Sequence, residues 1–366
     1  MTKSEFIDEL CRRLRLMPAD EAQKTVIFYS ESIDDRIEDG MTEEEAVAAV
    51  GSIDDIVREV MGSTPPPRAE RTAGDGRDWS GPAEERDYTF SPAGVRGITV
   101  IETGGDVRIA NSYDGLIHVR CTEGAGVHYD ITEGETLRVT KVVGAGVNEK
   151  VNKKLSMLGF SININLPNIS FGSSDTDVEI RVPPVEGLTV NLNTSSGDID
   201  CAIGEVYALH LRTGSGDVDV SGLRVTDVLE AISASGDADI SDVICDRLVI
   251  STVSGDSSAD GVTAREARIN TVSGDAHLTG AYIKEKLTTV SVSGDIDCEL
   301  RSILPRGSFE SVSGDIDVEL FGRREDYNVT ARSASGRESS RFDDFGAANE
   351  IRAKSVSGTI RIGTEE

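Results

Sequence analysis

A short phrase, Ser-Gly-Asp, recurs through the second half of the chain and constrains its fold more than any other feature. Consecutive copies are 19 to 22 residues apart. A fixed period in this range is typical of solenoids, in which each unit buries its apolar face only against its neighbours. The period therefore predicts a mainly β chain, a parallel β-solenoid or β-helix with coils of about 20 residues. The intact copies centre on the predicted turn glycines Gly197, Gly216, Gly236, Gly255, Gly274, Gly294 and Gly314, and degenerate copies follow at Gly336 and Gly358.

Apolar residues hold fixed positions around each repeat glycine. The positions five and seven before it, and two and four after it, are mostly apolar, with polar residues between them. This alternation is typical of strands with one buried side. Each coil is predicted to consist of strand, Ser-Gly-Asp corner, strand and return corner, with coils pairing in parallel about 4.8 Å apart. We expect the glycine to adopt a backbone conformation that residues with side chains avoid, and the coils of Gly336 and Gly358 to cap the open end.

The aspartates of the repeat are predicted to stack into two columns. Like charges about 4.8 Å apart repel each other, so such columns need compensation. Either each carboxylate caps the turn by accepting backbone N–H bonds, or cations such as calcium lie between the carboxylates. The repeats lack the nine-residue rhythm of calcium-binding β-rolls, which favours capping and leaves calcium as the alternative. The corner column is Asp198, Asp217, Asp237, Asp256, Asp275, Asp295 and Asp315, and the outward strand column is Asp200, Asp219, Asp239, Asp297 and Asp317.

Composition excludes several classes of partner. The formal net charge of −28 argues against nucleic acids and anionic membranes, which bind basic surfaces, although a role in solubility alone is the simplest explanation of that charge. Five scattered cysteines without a C-x-x-C pair indicate neither a disulfide framework nor a zinc site; Cys201 and Cys298 read as small core residues. No apolar run is long enough to cross a membrane. The acidic N-terminus does not resemble a signal peptide, so we expect a cytoplasmic protein, with surface or envelope association left open.

Residues 1–62 are predicted to form a small all-α domain. Apolar residues recur at helical spacing, and residues 42–45 form a capping-box pattern. This segment resembles the HAAS helical signalling domain, on Ser4-Glu5-Phe6, Met17-Pro18, Tyr29, Gly40-Met41-Thr42-Glu43-Glu44-Glu45-Ala46, Gly51-Ser52 and Ile56-Val57-Arg58-Glu59-Val60. The resemblance implies a non-enzymatic domain that accompanies sensor modules and is often encoded with a PadR-type transcriptional regulator, the partner expected for residues 1–62. The alternative is that these helices only oligomerise or pack on the solenoid.

The remaining chain divides by composition. Residues 63–87 are rich in Pro, Gly and mixed charges and are predicted to be a flexible linker. Residues 88–366 are predicted to form the β-solenoid, with regular repeats at 173–362. The segment 141–172 interrupts the pattern and is predicted to be an inserted loop and hairpin, with a local basic cluster at Lys141, Lys150, Lys153 and Lys154.

Residues 90–362 resemble a domain of unknown function commonly labelled "putative adhesin", built from β-strand repeats that carry Ser-Gly-Asp-Ile. The phrases Val292-Ser293-Gly294-Asp295-Ile296 and Val312-Ser313-Gly314-Asp315-Ile316 carry this likeness. The resemblance implies an adhesin-like β-solenoid.

Catalytic and cofactor sites are not expected. Coils this short leave no loops for the walls of a cleft such as β-helix polysaccharide enzymes use. The histidines His118, His128, His210 and His277 are predicted to stand alone. The sequence thus favours a non-enzymatic interaction or scaffold protein, an adhesin-like solenoid coupled to a helical signalling domain, with self-association also possible. A calcium- or surface-binding rod is the first alternative, and a polysaccharide-active enzyme is a remote one.

Overall fold

In the computed structural model the chain divides into two compact units, residues 1–78 and 79–366. The structure describes residues 83–124, 126–143, 178–337 and 346–365, the backbone of 152–157 and 160–165, and three residues of the first unit. Those three, Lys3, Phe6 and Ile33, are helical, and Phe6 and Ile33 are buried. The rest of the predicted helical domain and most of the predicted linker lie outside the described residues.

The second unit consists almost entirely of strands. Its entry region contains β1 (Glu84–Phe90), β2 (Gly97–Ile101), β3 (Val107–Asn111), β4 (Ile117–Glu123), β5 (Val127–Thr132), β6 (Thr136–Val143), β7 (Asn152–Met157), β8 (Phe160–Asn165) and β9 (Val178–Val182). The first repeats contain β10 (Thr189–Asn193), β11 (Ile199–Ala202), β12 (Glu205–Val206), β13 (Ala208–Thr213), β14 (Val218–Ser221), β15 (Arg224–Val225), β16 (Val228–Ser233) and β17 (Ala238–Ser241). The last repeats contain β18 (Ile244–Thr252), β19 (Ser257–Asp260), β20 (Thr263–Asn270), β21 (Ala276–Ser291), β22 (Ile296–Leu300), β23 (Arg306–Ser313), β24 (Ile316–Phe321), β25 (Tyr327–Ser333), β26 (Asn349–Ser357) and β27 (Ile360–Glu365).

Most coils contribute one strand before the glycine and one after it. The strands before the glycines form what we call the leading sheet, in the order β5-β6-β2-β10-β13-β16-β18-β20-β21-β23-β26-β25. The strands after the glycines form the trailing sheet, in the order β1-β4-β9-β3-β11-β14-β17-β19-β21-β22-β24-β27. Strand β21 is continuous through the return corner and belongs to both sheets, and the short strands β12 and β15 pair with each other beside the leading sheet. From β2 and β3 to the C-terminal strands every pair is parallel, which confirms the predicted solenoid for this unit.

The predicted apolar columns line the core. In the leading sheet, Val190 pairs with Leu209, and that column continues through Leu229 and Leu248. In the trailing sheet, Ile199 pairs with Val218 in the same way. The side chains in these columns are almost wholly buried. Burying an aliphatic side chain of this size contributes about 1.5–3 kcal/mol, so the stacked columns are the main source of stability.

Antiparallel strands close the N-terminal end of the stack in both sheets. In the trailing sheet β4 pairs antiparallel with β9 and β1 with β4, and in the leading sheet β5 pairs antiparallel with β6. Strand β1 begins at Glu84, inside the segment predicted to be a linker. The parallel edge of the first coil is therefore covered by hydrogen-bonded strands, as edges of soluble sheets usually are.

A buried ion pair, which was not predicted from the sequence, lies at this end of the stack. Lys141 belongs to β6, with 2% of its side chain exposed, and its Nζ is 2.6 Å from Glu102 Oε1. Glu102 also accepts a bond of 2.7 Å from Tyr129 Oη and the backbone N–H of Thr103 at 2.9 Å. The predicted insert at 141–172 does contain an antiparallel hairpin, β7–β8. The placement of Lys141 in that insert was wrong, because β6 continues to Val143.

The last two coils stack in the reverse of their chain order. The coil of Gly358 lies on that of Gly314, and the coil of Gly336 lies outside it. Strand β26 accordingly lies between β23 and β25. The two late copies, Ser-Gly-Arg at 335–337 and Ser-Gly-Thr at 357–359, both depart from the repeat phrase, so the phrase alone does not distinguish their places.

Candidate interaction surface

The repeat glycines are required by close approach of neighbouring coils. A Cβ built on Gly236 would lie 2.0 Å from the carbonyl oxygen of Gly216, and the other intact copies give distances of 1.9–2.1 Å. None of these glycines has φ in the left-handed region, so the expectation of a special backbone conformation was wrong. Glycine occurs here because any side chain would force the coils apart.

A column of buried hydroxyls supports the same corner. Three residues before each repeat glycine stands a Ser or Thr, and in most coils its hydroxyl donates to the carbonyl of the glycine in the coil below, at 2.8–3.5 Å. Thr252 instead donates to Gly255 of its own coil, at 2.7 Å. A Ser or Thr at this position in all nine copies is a signal in the sequence from which these hydroxyls could have been predicted. The column is Thr194, Thr213, Ser233, Thr252, Thr271, Ser291, Ser311, Ser355 and Ser333 in stacking order.

The corner aspartates form a hydrogen-bonded ladder. Asp256 Oδ1 accepts the backbone N–H of Asp275 at 2.8 Å, and the N–H of Asp256 donates to Asp237 Oδ1 at 2.8 Å. The same bond joins every consecutive pair from Asp198 to Asp315, at 2.7–2.9 Å. The ladder also begins one coil earlier than predicted, because Asp106 accepts from the N–H of Asp198. It ends where Asp315 accepts from the N–H of Thr359, which has no carboxylate to offer the next coil.

The second predicted column lies on the outer side of the trailing sheet. Asp200 pairs with Asp219 and Asp219 with Asp239, and farther along Asp297 pairs with Asp317. Burial, followed by the charges of neighbouring aspartates, raises the pKa of Asp219 and of Asp239. Burial likewise raises the pKa of Asp297. These carboxylates are therefore held close together at a cost, unlike those of an ordinary solvated surface.

An arginine lies beside the aspartate at each end of this column. Arg108 lies next to Asp200 in the register, with its Nη2 2.7 Å from Asp200 Oδ2. At the far end Arg361 Nη1 is 3.6 Å from Asp317 Oδ2. Between these ends, His277 Nδ1 is 3.4 Å from Asp297 Oδ2.

These two columns, together with the outward residues five positions after the glycines, form what we call the acidic face: positions one, three and five after each glycine whose coil supplies a strand of the trailing sheet, from Asp106 to Gly363. It holds sixteen carboxylates and two arginines, so its net charge of −14 is half of the chain's formal −28. The two parallel columns fix these charges at the spacing of the coils, about 4.8 Å. A rigid surface of one sign creates a field that attracts cationic partners and speeds their association.

The outer side of the leading sheet carries more cations than carboxylates. Its outward residues, four, six and eight positions before each glycine, form what we call the basic face, with eight arginines and lysines against four glutamates. Several of these bases are neutralised locally, as in the pairs Arg212–Glu230 at 2.6 Å and Lys354–Glu310 at 3.4 Å. The solenoid is therefore electrostatically polarised across its two sheets.

The predicted calcium ligands do not gather into a coordination sphere. Among the described residues there is no group of three or more His, Cys, Asp or Glu side chains that could hold a metal ion. One oxygen of each corner aspartate is already committed to a backbone N–H. Calcium prefers six to eight oxygen ligands, which a straight column of carboxylates does not supply. Calcium binding by these columns stays a prediction.

Three of the four histidines lie beside carboxylates, contrary to the expectation that they stand alone. His210 Nδ1 is 3.2 Å from Glu230 Oε2, and His277 contacts the outward aspartate column. His118 Nε2 is 2.9 Å from Asp114 Oδ2, in a groove of about 410 Å³ at the N-terminal end. The sequence missed these contacts because the partners lie in neighbouring coils or across a turn.

The groove does not contain the arrangement of a nucleophilic triad. Ser112 Oγ donates to Asp114 Oδ1 at 2.8 Å, so its proton is directed at the carboxylate and not at a histidine. The hydrogen bond from His118, and then that from Ser112, hold the pKa of Asp114 below its usual range. A carboxylate so stabilised is a poor general base, and a serine activated by histidine requires the reverse geometry.

The four described cysteines are buried and reduced. Burial raises the pKa of the Cys201 and Cys298 thiols to about 12. Both occupy inward strand positions, as predicted for small core residues. Because the thiolate is the reactive form, these side chains serve packing and not redox or nucleophilic chemistry.

Comparison with solved structures returns sequence-distant proteins. The crystal structure of a "putative adhesin" from Bacteroides fragilis is 14% identical and covers 77% of this chain and 97% of its own, with a TM-score of 0.38. A "putative lipid binding protein" from Parabacteroides distasonis is 16% identical and covers 78% and 98%, with a TM-score of 0.45. A "putative adhesin" from Parabacteroides merdae is 11% identical and covers 78% and 97%, with a TM-score of 0.41. A comparison with curated proteins found no significant match.

No helix among the described residues has the length and apolar character needed to cross a membrane.

Family models account for both units. The HAAS model matches residues 5–59, in agreement with the resemblance of the N-terminal helices. The Toastrack DUF4097 model matches residues 95–364, which include every repeat glycine and both aspartate columns. The chain therefore belongs to the Toastrack DUF4097 family.

Proposed function

We propose that the protein is a non-enzymatic, adhesin-like binding scaffold in a signalling system. Its acidic face docks a cationic surface of a partner protein, and residues 1–62 dock a regulator of the PadR type. The observation that carries this proposal is the net charge of −14 on one rigid sheet face. Half of the chain's charge excess lies on a surface whose columns the backbone ladder holds in register.

The repeated arrangement of the aspartates suits a binding surface better than a catalytic site. The corner column is used for hydrogen bonds between coils, and the outward column repeats coil after coil. Catalysis needs one site with distinct roles for its groups, whereas a repeated column offers the same environment many times. A repeated array suits recognition of an extended surface of opposite charge.

Two variants of equal net charge test the role of the acidic face. The first neutralises the outward column by the five substitutions D200N, D219N, D239N, D297N and D317N. The control neutralises five exposed carboxylates that lie off this face and have no ion pair among the described residues: D130N, E133Q, E186Q, E205Q and E325Q. Both change the formal charge by the same five units, so only the location differs.

Binding of each full-length variant to a fluorescent lysine-rich peptide is measured by anisotropy at several salt concentrations. We expect the face variant to bind roughly tenfold or more weakly and with a shallower salt dependence, because it loses several charge contacts at once. The control is expected to bind within about twofold of the unmodified protein. Equal weakening of both variants would show that only net charge matters and would refute a dedicated face.

A second measurement tests the partner of residues 1–62. The purified PadR-type regulator encoded nearest to the protein is mixed with the full-length chain and analysed by size-exclusion chromatography with light scattering. A stable complex of defined mass supports regulator docking. Elution of the two proteins as separate species at all concentrations would refute it, while leaving the acidic face to be judged by the peptide assay.

A further inference from the structure

Two cations of the basic face lie side by side without an ion pair among the described residues. Lys286 in β21 and Arg306 in β23 are direct neighbours in the register, so two cations stand opposite each other. Neither has a carboxylate within 4 Å among the described residues. Like charges directly opposite each other on adjacent strands are destabilising. On their other sides the register neighbours are Glu266 for Lys286 and Glu350 for Arg306, but these carboxylates are engaged by Arg265 at 2.8 Å and by Arg352 at 3.0 Å.

These two side chains border a trough of about 230 Å³ in the sheet surface. Ser308, which is half-buried, also lines the trough, and its neighbour in the register on β26 is Arg352. Glu350 also borders the trough but is engaged by Arg352, at 3.0 Å. Three cations and one carboxylate leave the trough a net charge of +2, beside a hydroxyl that can donate a hydrogen bond.

We propose that this trough, bounded by Lys286, Arg306, Ser308 and Arg352, binds a tetrahedral oxyanion, the phosphate or sulfate group of a small ligand. A guanidinium offers paired N–H donors to two oxygens of such a group, and a lysine adds a mobile point charge. A dianion matches the local charge of +2 and removes the repulsion between the two opposed cations. The trough lies on the leading sheet, so it is separate from the acidic face.

The charge of the whole molecule selects against large polyanions. A nucleic acid or an anionic polymer that extended beyond the trough would meet a chain of formal charge −28. Its long-range repulsion would offset the local attraction. A single anionic group inside the trough is less affected by this repulsion, because salt screens the distant carboxylates while the neighbouring cations stay within contact distance.

Isothermal titration of the full-length protein with inorganic phosphate and with inorganic sulfate tests the site. The variants are Arg306→Gln and Lys286→Gln. Their matched controls are Arg224→Gln and Lys284→Gln, exposed cations that lie off the basic face. We expect the trough variants to bind roughly tenfold or more weakly, since each loses a charged hydrogen bond, and the controls to bind like the unmodified protein. Trough variants that bind both anions as well as the controls do would overturn the proposal.

Thermal unfolding gives an independent readout. Without anion, Arg306→Gln is expected to raise the melting temperature because the opposed charges are gone. Phosphate should raise the melting temperature of the unmodified protein and of the control Arg224→Gln, but not that of Arg306→Gln. An equal phosphate effect on all three would reveal general salt stabilisation and would also overturn the site.

Vesicle flotation distinguishes the source of the anion. Binding to vesicles of phosphatidic acid in phosphatidylcholine, but not to phosphatidylcholine alone, and its loss in Arg306→Gln would identify a lipid headgroup. Response to inorganic phosphate without flotation would identify a free small anion. If neither anion binds and the protein instead self-associates in a manner abolished by Arg306→Gln, the trough receives the acidic face of a second copy and the oxyanion assignment is wrong.

Discussion

Substitution of one corner aspartate separates the two explanations of the ladder. Asp256 lies in the middle of the stack, where its Oδ1 accepts the N–H of Asp275 at 2.8 Å. Asp256→Asn removes the charge but keeps an oxygen in the same place. Asp256→Ala removes both the charge and the oxygen. Since the charge change is the same, the difference in stability between the two variants isolates the hydrogen-bond acceptor.

The magnitude follows from the spacing of the coils. Repulsion between Asp256 and each neighbouring carboxylate about 4.8 Å away is about 0.9 kcal/mol in water, the appropriate medium for an exposed column. Losing it offsets most of the weakening caused by exchanging a charged acceptor for a neutral one, so Asp256→Asn should change the unfolding free energy by less than about 1 kcal/mol. Asp256→Ala leaves an N–H without its partner and should be about 1–2 kcal/mol less stable than Asp256→Asn.

The assay is thermal and urea-induced unfolding of the full-length protein and both variants, first with a chelator and then with calcium. A difference of 1 kcal/mol corresponds to about 2–4 °C in a unit of this size. Equal destabilisation by Asn and Ala would refute the capping explanation, because the charge and not the acceptor would then matter. A calcium-dependent stabilisation lost in both variants would make the column a cation site.

Three other substitutions or treatments test the remaining parts of the structure. Gly255→Ala would place a Cβ 2.1 Å from a carbonyl oxygen and should lower the free energy of unfolding, measured in urea, by about 3 kcal/mol or more. Gly222→Ala, in open space at φ +65°, should lower it by only about 1–2 kcal/mol. Equal costs would contradict close approach as the reason for the repeat glycine. Because the folded-state pKa of Asp219 is raised, its ionised form destabilises the fold, and this penalty disappears as pH falls through that pKa. Melting curves should therefore show Asp219→Asn above the unmodified protein at pH 7 and converging with it in acid; a constant or reversed difference would contradict the shift. Ellman's reagent should label Cys201 and Cys298 only after unfolding, and rapid labelling of the native protein would disprove their burial.

The stacking of the coils was predictable because the repeat glycines recur at nearly equal intervals along the chain. Once Gly216 and Gly236 are recognised as equivalent, their neighbours in sequence must become neighbours in space. The two aspartate columns follow from the same step. The phrase around Asp106 was recognised as a relative of the repeat, but Asp106 was left out of the predicted column because its copy reads Gly-Gly-Asp and is followed by a long departure from the repeat. A single weak copy does not establish a period, although the coil it forms is the first of the stack.

Other features depend on contacts that the repeat does not encode. Lys141 looked like part of a solvated insert, and its burial is explained only by Glu102, which is 39 residues away in the chain. The reversed order of the last coils is visible only in the pairing of β26 with both β23 and β25. The reason for the repeat glycine was also misjudged, since a requirement for glycine has two physical causes and sequence does not distinguish a left-handed φ from a close approach.

The ladder and the acidic face depend on each other, and this determines how the face can act. An exposed ion pair contributes at most about 1 kcal/mol, so no single aspartate of the outward column can confer useful affinity on a partner. Several contacts made together can do so, provided that their spacing does not have to be organised during binding. The hydrogen bonds between Asp237, Asp256 and Asp275 hold successive coils in register. The outward carboxylates lie on the same coils, so their spacing is fixed although they do not make these bonds themselves. A partner whose cations are spaced to match the coils would therefore be favoured over one of equal charge with irregular spacing.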